Sequence, residues 1–285
     1  MLAVALGLGS SLCWGFADFF AGLQSRRRAL LAVLLISQGA SLALLLPFAL
    51  AVADEAPSGT AIGWAALAGT AGVIALGSFY RGLAIGTMSV VAPISATGAA
   101  VPVLVGLVDG ERPSSLQIAG IAVAIVGVVL AARESEPAEA AGAEHRAAGR
   151  TAVALALLAA LGFGTFFVGI DRASATAEVP WVMVISRSCS LGVVLVAALA
   201  ARPALPRDAA AVGALAAVGL LDLGANGLYA LATREGLLSV VAVLSSLYPT
   251  VTVVLARFVL AERVSRLQEV GVLLALAGVA SISAG

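Results

Sequence analysis

The sequence GERPSSLQIAG at residues 110–120 returns 151 positions later as AERVSRLQEVG at residues 261–271. Each stretch places a glutamate and an arginine shortly before Leu-Gln and a glycine. Only 11% of the residues in this chain are charged. A charged motif that occurs twice in so apolar a background indicates an internal repeat.

Other short segments recur in the same order at almost the same spacing. Ser89-Val90-Val91-Ala92 returns at residues 239–242, an offset of 150. Ile36-Ser37-Gln38 corresponds to Ile185-Ser186-Arg187, and Trp14-Gly15 corresponds to Phe163-Gly164, each at an offset of 149. This collinear series predicts a duplicated unit, with a first repeat at residues 1–132, a polar linker at 133–150 and a second repeat at 151–285.

The composition places the chain in a membrane. Hydrophobic residues make up 61% of it, whereas a soluble domain has about 25% charged residues to cover its surface. Uncharged runs of about 20 residues are long enough to cross a bilayer as helices. We predict an all-α polytopic membrane protein with ten transmembrane helices, at residues 2–22, 29–53, 61–84, 87–108, 114–132, 151–171, 180–201, 208–232, 237–260 and 265–283.

An odd number of spans in each repeat has a topological consequence. After five crossings, the second repeat enters the membrane from the side opposite to the first. The two repeats are then inverted about an axis in the membrane plane, an arrangement common in secondary transporters.

The matching residues also carry a family resemblance. Trp14-Gly15, the Gly-Glu-Arg and Ala-Glu-Arg turns and the two Leu-Gln-x-x-Gly segments resemble EamA domains of the drug/metabolite transporter superfamily. The resemblance implies a ten-helix carrier in the inner cell membrane that exports amino acids, related metabolites or drugs by alternating access. Proton exchange is one driving force that it suggests. The motifs are specific for the fold and not for the substrate.

Enzymatic chemistry has little support. The single histidine, His145, lies in the polar linker, so a Ser/His dyad or a histidine metal site within the spans is not available. We predict no catalytic residue, metal or cofactor. The net charge is zero, which gives no argument for nucleic acid. The expected partners are the lipid bilayer, a small-molecule substrate and, as one alternative, protons; the chain could act as a monomer or a homodimer.

Charges within the spans are the strongest candidates for a substrate site. Asp222 lies near the middle of the eighth span and Arg187 lies within the seventh. Charges near the bilayer centre are costly and normally face a cavity or a partner. Two interpretations stay open: an Asp–Arg pair that pins two helices together, and a site for the polar end of a substrate. Asn226 and Tyr229 follow Asp222 on the same helical face.

Three further residues extend the predicted substrate site. Trp14 and Asp18 are four residues apart on one face of the first span, and Gln38 is the repeat mate of Arg187. Trp14 could pack in the core or form a cavity wall, and Asp18 could be buried or solvated at the span end. The resemblance favours the cavity, because the family's first helix contributes to the central pathway.

Prolines mark predicted bends in the fourth and ninth spans. Pro93, Pro102 and Pro249 each remove a hydrogen bond to the carbonyl four residues earlier. Bends at these positions would suit gating, and a static kink is the alternative. The competing function for the whole chain is a receptor or scaffold that does not transport.

The arginines predict an orientation in the membrane. Loops after odd-numbered spans hold eleven arginines and loops after even-numbered spans hold three. Basic residues in short loops stay cytoplasmic, so this bias places the termini outside, whereas the family resemblance places them inside. The triplet Arg26-Arg27-Arg28 favours the first arrangement. A GFP fused to the C-terminus is then expected to stay dark, and a bright fusion would contradict the arginine count.

Overall fold

The computed structural model describes residues 1–85, 91, 94–131, 143–259 and 266–284. These residues contain helices and turns and no strand. The helices are α1 (Leu2–Ser25), α2 (Leu30–Val52), α3 (Gly59–Ile85), a short 3₁₀ turn (Thr97–Ala99), α4 (Ala100–Val108), α5 (Ser115–Ala131), α6 (Ala143–Ser174), α7 (Val179–Ala201), α8 (Ala209–Glu235), α9 (Leu238–Ser245), α10 (Tyr248–Val259) and α11 (Arg266–Ala284).

Six of the described helices are long and apolar enough to cross a bilayer: α1, α2, α3, α6, α7 and α8. The shortest of them has 23 residues, which at 1.5 Å per residue gives about 35 Å and exceeds a hydrocarbon core of about 30 Å. Shorter apolar helices lie at Ile94–Val108, Ser115–Gly127 and Leu238–Thr252. The protein is therefore an all-α polytopic membrane protein, as the composition predicted.

The helix α6 starts earlier than the sixth predicted span. It begins at Ala143, so the last eight residues of the predicted linker are helical. Alanine, glutamate and arginine dominate this segment, and all three are strong helix formers. The charged residues make the segment too polar to span the membrane, but they do not prevent it from forming a helix. Residues 132–142 of the linker region lie outside the described residues.

The fourth and ninth spans are interrupted helices. The 3₁₀ turn Thr97–Ala99 precedes α4, and a turn at residues 246–247 separates α9 from α10. Pro102 and Pro249 each lie shortly after the break in their span, while Pro93 lies outside the described residues. The two breaks fall at repeat-related positions. The role of the prolines in gating stays a prediction.

Most packing occurs between the two repeats, and it respects their symmetry. The helix α3 packs against α6, and the repeat-related equivalents of these two helices, α8 and α1, also pack against each other. The pairs α3 with α7 and α2 with α8 are related in the same way. The pairs α2 with α7 and α5 with α11 each join repeat mates. The two repeats are interlocked, and a site near their shared axis receives side chains from both.

A pair of serine–glycine contacts lies close to this axis. The Ser41 hydroxyl donates to the Gly219 carbonyl at 2.6 Å, and its mate Ser190 donates to the Gly69 carbonyl at 2.7 Å. A Cβ at either glycine would come within about 2 Å of a carbonyl oxygen on the facing helix. The absence of a side chain therefore lets the crossing helices approach closely, as small residues do in membrane bundles.

The repeated acidic turn connects the two repeats. Glu111 follows α4, and its carboxylate accepts hydrogen bonds from the backbone N–H groups of Leu238 at 2.6 Å and Ser239 at 3.1 Å. These donors lie at the N-terminus of α9, where helix N–H groups have no partner within the helix. Gly106 leaves room for the carboxylate, because a Cβ there would be 2.3 Å from it. The equivalent Glu262 lies outside the described residues.

We predict that Glu111→Ala lowers the free energy of unfolding by about 1–2 kcal/mol, the usual value of a charged helix cap. Thermal unfolding of the purified protein, followed by fluorescence, measures the loss. Glu55→Ala is the matched control, because Glu55 is exposed in a loop at the same membrane face. Equal effects of the two substitutions would show that Glu111 does not stabilise the N-terminus of α9.

Candidate substrate site

A cavity lies at the middle of the bundle, where the repeats meet. Asp222 on its wall is the 14th of the 27 residues of α8, and Trp14 is near the centre of α1. The centre of a water molecule can occupy about 60 Å³ of the cavity, which is room for about four waters or a small ligand. Its polar lining side chains are Trp14, Asp18, Gln38, Ser186, Arg187, Ser190, Asp222, Asn226 and Tyr248.

Asp222 is the centre of the polar wall. Its carboxylate lies 2.7 Å from an Nη atom of Arg187. It also accepts hydrogen bonds from the indole N–H of Trp14 at 3.1 Å and from the Asn226 amide at 3.1 Å. The side chains of Asp222 and Arg187 are 16% and 7% exposed. The pair links α7 to α8 and also lines the cavity, so its geometry is compatible with both interpretations left open by the sequence.

Arg187 and its repeat mate Gln38 are in direct contact. The second Nη of Arg187 donates to the Gln38 side-chain carbonyl oxygen. As repeat mates, these two residues are related by the axis between the repeats, and the structure brings them together across it. Both guanidinium Nη groups are thus engaged, one with an amide and one with a carboxylate.

Asp18 occupies a separate position on the same wall. It is 8% exposed, and its carboxylate accepts a hydrogen bond from the Tyr80 hydroxyl at 3.1 Å. No cation among the described residues forms an ion pair with it. The structure therefore places Asp18 in the buried environment and not in the solvated one, the two alternatives left open by its place in the sequence.

Tyr229 lies behind the cavity wall and does not line it. Its side chain is fully buried, and its hydroxyl donates to the Phe167 carbonyl oxygen at 3.1 Å. Its ring centroid is 6.0 Å from that of Trp14. The helical periodicity placed Tyr229 on the Asp222 face, but the seven-residue separation carries it one turn beyond the cavity. Its position is that of a support for Trp14 and Phe167.

An aromatic wall also lines the cavity, and its residues were not assigned to the site from the sequence. Phe163, Phe166 and Phe167 of α6 line the cavity together with Tyr248 of α10. Phe166 and Phe167 pack against Trp14 with centroid separations of 6.2 and 5.6 Å. The repeat alignment held a signal for this wall, because Phe163 is the mate of Trp14 and Phe167 is the mate of Asp18.

The two walls are symmetry-related in backbone and different in chemistry. Helices α1 and α8 carry Trp14, Asp18 and Asp222, whereas the equivalent pair α6 and α3 carries phenylalanines and, at the position of Asp222, Gly72. The Gly72 backbone lies so close to Phe166 that a Cβ would be 2.9 Å from its ring. The duplicated scaffold thus holds a cavity that is charged on one side and aromatic on the other.

Comparison with known proteins agrees with this architecture. The model of the EamA-like transporter family matches residues 1–133 and 150–284. The chain belongs to the EamA-like transporter family. The matched segments are two, as expected for a duplicated EamA unit. The protein is therefore a membrane transporter of the drug/metabolite transporter type, and its family is not an enzymatic one.

One solved structure, described as "Crystal structure of protein", has a TM-score of 0.73 and 16% sequence identity, and the match covers 98% of this chain and 95% of that one. At this identity the similarity concerns the fold alone. No curated protein sequence matches this EamA-like chain. Family membership leaves the substrate, the direction of transport and the driving ion to be argued from the cavity.

Proposed function

We propose that this EamA-like protein is a secondary carrier in the inner cell membrane that exports a small amphipathic metabolite by alternating access. The observation that supports it most is the cavity with one charged and one aromatic wall at the interface of the two repeats. Substrate sites of carriers with inverted repeats commonly lie near the bilayer midplane at this interface. A scaffold protein has no need of a buried ion pair beside a cavity, because charges within the membrane are costly.

The proposed substrate contacts are the cavity-lining side chains. Asp18, Asp222, Asn226, Arg187 and Gln38 provide the polar contacts, and the phenylalanines of α6 contact the apolar part of the ligand. Trp14 contributes to both the polar and the aromatic contacts, since its ring packs on Phe166 while its N–H donates to Asp222. Tyr229 acts indirectly, through the position of Trp14.

Asp18 is the proposed site of proton exchange. Asp222 is held by Arg187, whereas the described partner of Asp18 is the neutral hydroxyl of Tyr80. Asp18 can therefore gain and lose a proton without breaking an ion pair. The other titratable groups in its surroundings are Asp222 and Tyr248. This assignment chooses between the two carboxylates that line the cavity.

A thermal-shift screen of the purified protein against a metabolite library is the experiment that tests the proposed transport function first. A ligand present at 100 times its Kd is expected to stabilise the protein by about 2.7 kcal/mol. The stabilising compound is then loaded into proteoliposomes, and its exit is measured with and without an imposed pH gradient. A stabilising compound that never crosses the membrane would favour the receptor alternative.

We predict that Asp18→Asn removes the acceleration of transport by a pH gradient. Exchange at equal pH and at a saturating substrate concentration should stay within about tenfold of the original rate, a change of about 1.4 kcal/mol in the barrier. A pH-sensitive dye inside the proteoliposomes records the protons. The control is Asp208→Asn, because Asp208 is an exposed helix cap of α8 and asparagine caps equally well. Proton movement that continues in Asp18→Asn would exclude Asp18 as the proton site.

A further inference from the structure

The charges that line the cavity do not balance. The described lining residues include two carboxylates, Asp18 and Asp222, and one cation, Arg187. Arg187 and Asp222 neutralise each other at 2.7 Å, so the described lining carries a net negative charge whenever Asp18 is ionised. A buried charge is unfavourable unless it has a partner of opposite sign. The cavity therefore favours a ligand that brings one positive charge.

Arg187 is poorly placed to receive a negatively charged ligand group. One Nη donates to Gln38 and the other contacts Asp222. A ligand carboxylate would have to displace one of these partners, and it would meet repulsion from both aspartates. An anion, or the carboxylate of a zwitterion, finds no unpaired cation among the described residues that line the cavity.

Asp18 keeps capacity for a cationic ligand. An ionised carboxylate has about four acceptor positions, and the described hydrogen bond from Tyr80 uses one of them. An ammonium group carries donors that match the remaining positions. Because Asp18 lines the cavity, such a group can reach it from the ligand side without disturbing the Arg187–Asp222 pair.

The aromatic wall favours the same ligand class. The rings of Trp14, Phe163, Phe166 and Tyr248 all line the cavity. Aromatic faces attract a cation within about 6 Å, most strongly when it is removed from water. The same rings offer a flat apolar surface to the uncharged part of a ligand, where offset or edge-to-face ring packing is favourable.

We infer that the cavity binds a small monocationic amine with a flat apolar body. The ammonium group lies against Asp18, and the body lies against the phenylalanines of α6. This inference rests on the proposed function, because it names the substrate class of the same cavity. It separates the ligand from amino acids, which are zwitterions, and from organic anions.

Four probes that share one phenyl ring test the inference by binding to the full-length protein in lipid nanodiscs. They are 2-phenylethylamine, phenylalanine, 3-phenylpropanoate and 2-phenylethanol, which are a cation, a zwitterion, an anion and a neutral molecule at pH 7. Calorimetry is expected to show that the amine binds at least about tenfold more tightly than each of the others, a difference of about 1.4 kcal/mol. Tighter binding of the zwitterion or the anion, equal binding of all four, or binding of none overturns the inference.

Asp18→Asn provides a second readout. It is expected to weaken binding of the amine at least about tenfold and to leave binding of 2-phenylethanol unchanged, with Asp208→Asn as the control. Unchanged amine binding in Asp18→Asn overturns the inference. If this variant does not fold, the ranking of the four probes on the unaltered protein decides.

Failure of the inference differs from failure of the proposed transport function. A protein that binds the amine without moving it across proteoliposomes supports the ligand class and contradicts the carrier. A protein that transports an anion and does not bind the amine supports the carrier and contradicts the ligand class.

Discussion

Gly219→Ala is expected to destabilise the protein strongly, by about 3 kcal/mol, the upper part of the usual range for overpacking. A Cβ at Gly219 would lie 2.1 Å from the carbonyl oxygen of Ser37 on α2. It would also lie 2.7 Å from the carbonyl carbon and 2.8 Å from the Cα of Ser37. Backbone atoms cannot rotate away as a side chain does, so α2 and α8 must separate. Separation also lengthens the hydrogen bond from Ser41 to the Gly219 carbonyl.

The same helix provides the control for Gly219→Ala. A Cβ at Gly213 meets nothing within 4 Å, and alanine is favoured over glycine in a helix by up to about 1 kcal/mol. Gly213→Ala is therefore expected to be neutral or slightly stabilising. The repeat supplies a second such pair. A Cβ at Gly69 would lie 2.0 Å from the Ser186 carbonyl oxygen, whereas a Cβ at Gly63 would meet nothing within 4 Å.

Thermal unfolding of the four glycine variants in one detergent measures these effects. The Tm of Gly219→Ala and Gly69→Ala should fall by about 5 °C or more, while the Tm of Gly213→Ala and Gly63→Ala should not fall. Four equal Tm values would show that the close approach of the helices at the repeat axis does not limit stability.

Asp222→Asn has the second large expected effect, because it acts on both stability and transport. The substitution leaves the Arg187 guanidinium buried without its carboxylate partner, and breaking a buried pair from one side costs about 3–5 kcal/mol. It also weakens the anchor for Trp14, whose indole donates to Asp222. We expect transport to be abolished in Asp222→Asn and in Arg187→Ala.

A double variant separates the two effects. Asp222→Asn combined with Arg187→Gln removes both charges at once, so it should recover most of the lost stability without recovering transport. The surface pair of Arg28 with Asp208, separated by 3.7 Å with side chains 29% and 59% exposed, is the control, and its loss should cost less than about 1 kcal/mol. Full transport in both single variants would remove the polar-site hypothesis. Recovery of transport in the double variant would leave helix pinning as the role of the pair.

Six of the residues that the sequence singled out for a substrate site lie close together in the structure. Trp14, Asp18, Gln38, Arg187, Asp222 and Asn226 line one cavity. They could be identified because each is polar or amphipathic within an apolar span, where membrane burial makes such a residue costly unless it has a partner. Tyr229 shares their face by periodicity but lies one turn outside the cavity.

The sequence alone determined the membrane class, the helical content, the duplication and its inverted topology. These properties follow from composition, from the length of apolar runs and from collinear matches between the two halves. It also indicated which polar residues should face inward.

Only the tertiary structure decided which apolar residues surround the cavity. Phe163, Phe166 and Phe167 are apolar residues in an apolar helix, and lipid accepts them as readily as the protein interior does. Hydrophobicity therefore does not fix the rotation of a membrane helix about its axis. Packing against neighbouring helices fixes it, at contacts such as Gly69 and Gly219 and through the Glu111 cap on α9, each of which joins residues more than 100 positions apart in the chain.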